Sequence, residues 1–275
     1  MLNTQIRRAI DPRHANTMNT SELRNEFLIE NLFQADSINL TYSHYERMIV
    51  GGATPTSGEL TIDHVELTGT PSWLDRREAV LVNLGTNGSV KSDSQTYQLG
   101  RCDMLYLGMG SGPVTVSGED ARFYIISAPA HRTIASRLVT INDAVQMPLG
   151  GRETSNERII YQFVHPAVME TCQIVMGMTQ LSPGSVWNTM PAHRHECRTE
   201  AYLYLDLPSD QNIIHLMGEP DETRHLIVRN EEAVLSPPWS LHSGAGTSSY
   251  SFIWAMAGDN QDYADVNMVT MEELK

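Results

Sequence analysis

The pattern of hydrophobic and polar positions predicts one amphipathic helix followed by a long series of short β-strands. In "TSELRNEFLIENLF", Leu23, Phe27 and Leu28 fall on one helical face. Thr20 or Ser21 is the expected N-cap. Helical periodicity then gives way to runs such as "REAVLVNLG", "DMLYLGMG" and "ARFYIISAP", which are rich in β-branched and aromatic residues and are bounded by turn formers. Regularly spaced short strands favour an antiparallel sandwich or barrel.

The second half of the chain repeats this organisation. After a loop-rich bridge it contains "TCQIVMGMTQLSPG", "NIIHLMGEP", "EAVLSPP" and "SYSFIWAMAG", in a strand and hairpin order roughly like that of the first half. We therefore predict an all-β protein of tandem β-barrels with minor helical segments. Residues 1–150 would form the first barrel with an N-terminal extension, and residues 151–275 the second. The acidic segment from Asp259 onward is predicted to pack on the outside as a strand or helix.

Composition and charge narrow the class of function. The chain has 275 residues, of which 41% are hydrophobic and 19% charged, as expected of a globular protein with one large or two smaller domains. Its net charge of −14, with no basic block, disfavours nucleic acid and anionic membranes as partners. Cys102, Cys172 and Cys197 are widely spaced and odd in number, which argues against a disulfide framework. With no signal-like or membrane-length apolar run, we expect a cytoplasmic protein.

The stretch "TMPAHRHECRTEAYLYL", beginning at Thr189, concentrates candidate metal ligands. On a strand, His193 and His195 project from the same face. Glu200 has the wrong parity for a straight strand, so the chain must turn or bulge to bring it to the histidines. His242 follows a proline-rich turn far downstream, and three imidazoles with a carboxylate suit Zn²⁺, Fe²⁺, Mn²⁺, Ni²⁺ or Co²⁺. Since the first half has no comparable set, we predict one divalent metal per chain.

The spacing of these ligands resembles the sequence signature of the cupins. That family folds as a jelly-roll β-barrel with a metal in the barrel mouth. Two such units would form a bicupin whose first barrel is degenerate and binds no metal. Further segments, including "TYSHYERMIVGG", "RREAVLVNLG", "VWNTMPAHRHECRTEAYLYL" and "ETRHLIVRNEEAVLSPPWSLHSGAGT", look like the 5-keto-4-deoxyuronate isomerases in order along nearly the whole chain. The resemblance implies a hexameric zinc ketol-isomerase of pectin and uronate breakdown, with ligands His193, His195, Glu200 and His242.

The implied reaction converts 5-dehydro-4-deoxy-D-glucuronate to 3-deoxy-D-glycero-2,5-hexodiulosonate by moving a carbonyl from C1 to C2. The metal would act as a Lewis acid while a base moves a proton between the two carbons. The sequence leaves that base open among Glu196, Tyr202, Tyr204 and His225.

A uronate also needs a local cation in so acidic a protein. Arg224 with His225, in "ETRH", is the first candidate for binding the carboxylate, and Arg76 and Arg77 are next. Two other classes of function remain open: an iron-dependent cupin dioxygenase using the same ligands, and a sugar-binding bicupin without catalysis.

Overall fold

The computed structural model describes residues 1–259 and 264–275, and most of the described residues with regular structure lie in β-strands, which confirms the all-β prediction. Residues 260–263 of the predicted acidic tail lie outside the described residues. The helical segments are α1 (Pro12–Ala15), α2 (Thr20–Phe27) and two 3₁₀ turns, Glu66–Thr68 and Arg152–Thr154. Over the described ranges, no helix is long and apolar enough to cross a membrane.

The strands of the first half are β1 (Leu2–Arg7), β2 (Leu28–Ile29), β3 (Ser37–Ser43), β4 (Ile49–Thr54), β5 (Leu60–Ile62), β6 (Arg77–Asn83), β7 (Asn87–Ser92), β8 (Gln95–Gly100), β9 (Met104–Leu107), β10 (Val114–Ser117), β11 (Phe123–Pro129) and β12 (Arg137–Val139). Those of the second half are β13 (Val145–Leu149), β14 (Arg158–Val164), β15 (Val175–Leu181), β16 (Trp187–Arg194), β17 (Arg198–Leu205), β18 (Ile213–Glu219), β19 (Glu222–Val228), β20 (Ala233–Ser236), β21 (His242–Gly246), β22 (Ser251–Gly258) and β23 (Asn267–Met268).

Helix α2 is shorter than the amphipathic pattern and is capped one residue earlier than predicted. The Asn19 side chain accepts from the Glu22 N–H while the Glu22 carboxylate accepts from the Asn19 N–H, a capping box. Leu23 and Phe27 are buried as expected. The helix ends at Phe27 because Leu28 has extended backbone angles and begins β2, which pairs with β20.

The chain divides into two compact units whose segments alternate along the sequence. The first contains Met1–Arg7, Asn31–Ala144 and Phe163–Val175. Its sheets have the strand orders β1-β3-β4-β11-β6-β9-β12 and β5-β10-β7-β8. Trp73, Leu81 and Phe123 belong to its buried apolar core. This unit therefore has the two-sheet organisation that the strand pattern predicts.

Glu78 anchors residues 172–174 within the first unit. Its buried carboxylate accepts hydrogen bonds from the N–H groups of Cys172, Gln173 and Ile174 at 2.7–2.8 Å and from the Tyr106 hydroxyl at 2.7 Å. A buried carboxylate with this many donors is stable without a cation.

The second unit contains Arg8–Glu30, Val145–Gln162 and Met176–Lys275. The sequence assigned residues 8–30 to the first barrel, but they lie in this unit because the apolar face of α2 packs there: the Phe27 ring meets Trp239 edge-on at 6.1 Å. Its sheets have the orders β13-β14-β15-β22-β17-β20-β2 and β19-β18-β21-β16-β23. Strands β16 and β21 in one sheet carry His193 and His242, β17 in the other sheet carries Glu200, and His195 directly follows β16.

Candidate metal centre

His193, His195, Glu200 and His242 converge in the second unit. One ligand atom from each lies within 4.8 Å of those of the other three. The Nε2 atoms of His195 and His242 are 3.2 Å and 3.1 Å from the same oxygen of Glu200. His195, Glu200 and His242 are buried, and His193 is partly exposed. The quartet predicted from widely separated positions is thus one cluster.

Irregularities in strand pairing bring the ligands together. His193 pairs directly with His242 across β16 and β21, after a register shift between Asn188 and His193. A bulge of this kind re-aims side chains near functional sites. The turn predicted between His195 and Glu200 lies at residues 196–197. It leads the chain from β16 into β17 of the other sheet, whose Glu200 faces the histidines.

Outer contacts fix the orientation of two imidazoles. The His195 Nδ1–H donates to the Asp265 carbonyl at 2.9 Å, and His242 Nδ1 lies 3.1 Å from the Ser236 hydroxyl. Because Nδ1 is engaged in each ring, Nε2 is left facing the cluster. The buried Arg198 guanidinium also donates to the Asp265 carbonyl, at 2.7 Å.

The electrostatics of the cluster favour deprotonated ligands. Burial, with a smaller contribution from His242, lowers the pKa of His193 to about 3. Burial alone would raise the pKa of the Glu200 carboxyl, but the nearby imidazoles of His242 and His195 outweigh it and hold that pKa well below its usual range. At neutral pH the cluster therefore presents neutral His193 and anionic Glu200 to a cation.

These residues fit a bound divalent metal. His242 Nε2 is buried 3.1 Å from the Glu200 carboxylate, yet it makes no well-oriented hydrogen bond to that group or to any other residue in the described part of the chain. An inward-facing imidazole lone pair without a partner is costly in a protein interior unless a ligand satisfies it. Three imidazoles and one carboxylate match the donor preferences of zinc and related metals.

The cluster lines a cavity of about 460 Å³, within the usual range for small-molecule sites. Both sheets of the second unit contribute to its walls. Apart from the ligands His193, His195 and Glu200, the described lining consists of Met147, Leu149, Arg158, Ile160, Thr179, Thr189, Met190, Pro191, Tyr202, Phe252, Trp254, Met256, Ala264, Val266 and Met268. A metal here would face a largely apolar pocket.

The structure does not bring Arg224 or His225 to this cavity. The Arg224 guanidinium donates to the carbonyls of Ala15, Asn16 and Met18, so it anchors the α1–α2 connection. His225 is exposed on β19. Proximity in sequence to the metal ligands placed Arg224 on the right unit but could not reveal this competing set of carbonyl acceptors.

The alternative arginines lie in the first unit. Arg77 is buried and donates to the Ser127 hydroxyl and carbonyl, both at 3.0 Å, and to the Arg47 carbonyl at 2.6 Å. Arg76 is exposed. Glu78, the next residue, accepts its hydrogen bonds from backbone N–H groups and the Tyr106 hydroxyl.

Tyr202 is the one candidate base among the residues that are described as lining the cavity. Its ring centroid is 5.3 Å from that of His242. Tyr204 lies deeper and is hydrogen-bonded to His215 Nδ1 at 2.7 Å. Glu196 is exposed and 3.2 Å from Arg194, and His225 has the exposed position described above.

Arg158 and the C-terminal segment were not identified from the sequence as parts of the site. Arg158 begins β14, within a stretch interpreted as a bridge, and only strand pairing places it on the cavity. Ala264, Val266 and Met268 line the cavity because β23 pairs with His193 and Arg194 on β16. The tail therefore forms part of the site wall.

Comparisons with known proteins identify a family and a fold for this chain. The KduI/IolB family profile matches residues 33–273. The 4-deoxy-L-threo-5-hexosulose-uronate ketol-isomerase of Cereibacter sphaeroides (strain ATCC 17029 / ATH 2.4.9) is 56% identical over 275 residues, covering 100% of both chains.

Solved structures show the fold alone, at lower identity. An IolB-like protein from Salmonella typhimurium LT2 matches with a TM-score of 0.67 and 17% identity, over 81% of this chain and 86% of that one. A variant of the oxalate decarboxylase of Bacillus subtilis matches with a TM-score of 0.55 and 10% identity, over 80% and 71%. These cupin-type neighbours confirm the predicted cupin architecture. The family profile and the full-length identity establish that the chain belongs to the KduI/IolB family.

Proposed function

We propose that this protein is a metal-dependent ketol-isomerase acting on 4-deoxy-L-threo-5-hexosulose uronate. The buried cluster of His193, His195, Glu200 and His242 carries the proposal, in a chain 56% identical throughout to a protein named for this activity. The reaction moves the carbonyl of the open-chain sugar from C1 to C2, giving 3-deoxy-D-glycero-2,5-hexodiulosonate. Substrate and product have the same oxidation level overall, so no external oxidant is needed.

The four side chains would hold one divalent ion in the second unit. Zinc is our choice because the reaction needs no change of metal oxidation state. A bound ion supplies Lewis-acid stabilisation of the negative charge that develops on the substrate oxygens. Glu200 adds an anionic ligand, and the contacts of Asp265 and Ser236 keep the imidazoles aligned.

The cavity walls would bind the sugar and control its protons. Tyr202 is our candidate for proton transfer, since its side chain lines the cavity beside His242. Phe252, Trp254 and Met256, all on β22, form an apolar wall that would limit access of water. The Trp254 indole is fixed by a hydrogen bond to the Thr179 hydroxyl at 3.2 Å.

Assembly and location are part of the same proposal. We propose a homohexamer in the cytoplasm. The family resemblance supports the hexamer. Cys102, Cys172 and Cys197 form no disulfide, which fits a reducing compartment.

The test is metal analysis of the purified protein together with an assay on uronate freshly generated by a polysaccharide lyase. We expect one zinc per chain and conversion to the diulosonate. Zinc-loaded protein that leaves the uronate unchanged would refute the isomerase. Oxygen consumption by iron-loaded protein would instead support the dioxygenase alternative, and close to two metals per chain would contradict a single site.

A further inference from the structure

The described lining of the metal cavity contains one lysine or arginine side chain, Arg158. The rest of that lining is largely apolar apart from the metal ligands, Tyr202 and two threonines. A carboxylate that enters such a cavity loses hydration, which is costly unless a cation or several donors replace the water. The net charge of −14 makes a local cation more necessary still.

Arg158 is held on a well-defined turn. Its Nη1 donates to the Asn156 carbonyl at 2.9 Å, and the Asn156 side chain accepts from the Gly151 N–H at 3.0 Å. Gly150 has a φ of +75°, and a Cβ there would lie 2.2 Å from the Asn156 carbonyl oxygen and 2.8 Å from Arg158 Nη1. The tight turn around Gly150 therefore fixes the position of the Arg158 guanidinium.

We infer that Arg158 binds the carboxylate of an acidic sugar whose other end reaches the His193–His195–Glu200–His242 cluster. A guanidinium has five N–H donors in a planar fork that matches a carboxylate, and the bond to the Asn156 carbonyl uses one donor on Nη1. The cavity would then offer a cation to each end of an open-chain uronate: a metal held by His193, His195, Glu200 and His242 near the carbons that isomerise, and Arg158 at the C6 carboxylate. In this arrangement Arg158 determines specificity for acids over neutral sugars.

This inference rests on the proposed function for its substrate, but its test separates the two. Arg158→Met is compared with Arg158→Lys, which keeps the charge and loses the planar fork. Arg152→Met is the matched control, since Arg152 is an exposed arginine in the same region, 3.2 Å from Glu157, and does not line the cavity. Zinc content and melting temperature are measured for every variant.

With the lyase-generated uronate, Arg158→Met should raise KM by roughly 10- to 100-fold with unchanged zinc content, and Arg158→Lys should fall between it and wild type. The Arg152→Met variant should behave as wild type. If wild type is active and Arg158→Met keeps its KM, the inference is wrong while the isomerase stands.

A binding measurement covers the case in which wild type is inactive and the proposed function fails. Zinc-loaded wild type is titrated calorimetrically with D-galacturonate and with D-galactose, which differ at C6 as acid and alcohol. A preference for the acid that is lost in Arg158→Met supports the inference. No preference in wild type, or one that survives the substitution, overturns it. A loss of zinc or of thermal stability that fully accounts for the kinetic change would also overturn it, because Arg158 would then serve the turn alone.

Discussion

Glu200 is the residue on which the cluster is centred. One carboxylate oxygen lies within 3.2 Å of the Nε2 atoms of both His195 and His242. On β17 Glu200 pairs with Ser236 of β20 on one side and with Met256 of β22 on the other. Strand pairing on both sides therefore holds its backbone in place. A ligand anchored in this way is preorganised for a cation.

Glu200→Gln should release the metal and keep the fold, because the amide preserves the volume and removes the charge. We expect affinity for zinc to fall by more than the roughly 10- to 100-fold typical of losing an outer-shell contact. Competition with a chromogenic chelator measures the change, and circular dichroism monitors the fold. Glu196→Gln, an exposed change four residues earlier, is the control. Full zinc affinity in Glu200→Gln would contradict the assignment of this ligand.

Tyr202→Phe should lower kcat on the order of 100-fold or more and leave zinc content unchanged, if the phenol transfers a proton. Tyr204→Phe removes a hydroxyl from the same strand, but that hydroxyl bonds to His215 and lies outside the described cavity lining. The main effect of Tyr204→Phe should be a decrease of about 1 kcal/mol in the free energy of unfolding. Steady-state kinetics and thermal melts distinguish the two variants. Equal kcat in wild type and Tyr202→Phe would exclude the phenol as the proton-transfer group.

At the scale of elements, the C-terminal segment completes the metal centre. Strand β23 pairs with the end of β16, and the Val269 N–H donates to the Ala192 carbonyl at 2.9 Å. Asp265 lies between β22 and β23 in the sequence. Its backbone carbonyl accepts hydrogen bonds from the side chains of His195 and Arg198. One backbone carbonyl thus couples the tail to a metal ligand.

Arg198→Met should weaken this coupling without unfolding the protein. The Nε and Nη1 atoms of Arg198 are buried with no hydrogen-bond partner in the described ranges. Replacing Arg198 by Met therefore removes the cost of burying these charged donors, and it also removes the hydrogen bond to the Asp265 carbonyl. We expect zinc affinity to fall roughly 10- to 100-fold and the melting temperature of metal-free protein to change little. Chelator competition and melts in EDTA test both points. Unchanged zinc affinity would show that Asp265 is held without Arg198.

At the scale of the whole molecule, pH links the buried histidines to stability. Burial, with a smaller effect of His242, lowers the pKa of His215 to about 3. In the unfolded chain the same group titrates near 6.5. Between these values the unfolded state binds more protons, so stability is complete above about pH 6.5 and is lost as the pH falls towards 3.

Metal-free protein should therefore lose roughly 1.4 kcal/mol per pH unit for each such histidine within this window. His215→Asn, whose side-chain oxygen can still accept from Tyr204, should reduce the loss. Exposed His225→Asn should not change it. Urea unfolding at pH 7.5 and 5.5 measures the difference. An identical pH dependence in wild type and His215→Asn would refute a neutral buried His215.

How much the sequence determined differs with scale. Alternation of apolar and polar residues predicted strands, because a side chain's face follows from its parity along an extended chain. The spacing of His193, His195 and Glu200 predicted both a shared cluster and a turn before Glu200, since parity forbids a straight strand there. Three of the four metal ligands could therefore be identified within one short stretch of sequence. Only His242 had to be added from a distant part of the chain.

The tertiary structure alone decided which residues accompany that cluster. Arg224 is close to the ligands in sequence, yet its guanidinium is occupied by carbonyls of the α1–α2 connection. Arg158 reaches the cavity through the position of β14 in a sheet whose pairings span almost the whole chain. Such placements follow from long-range strand order and backbone acceptors, and no local period or motif in the sequence encodes them.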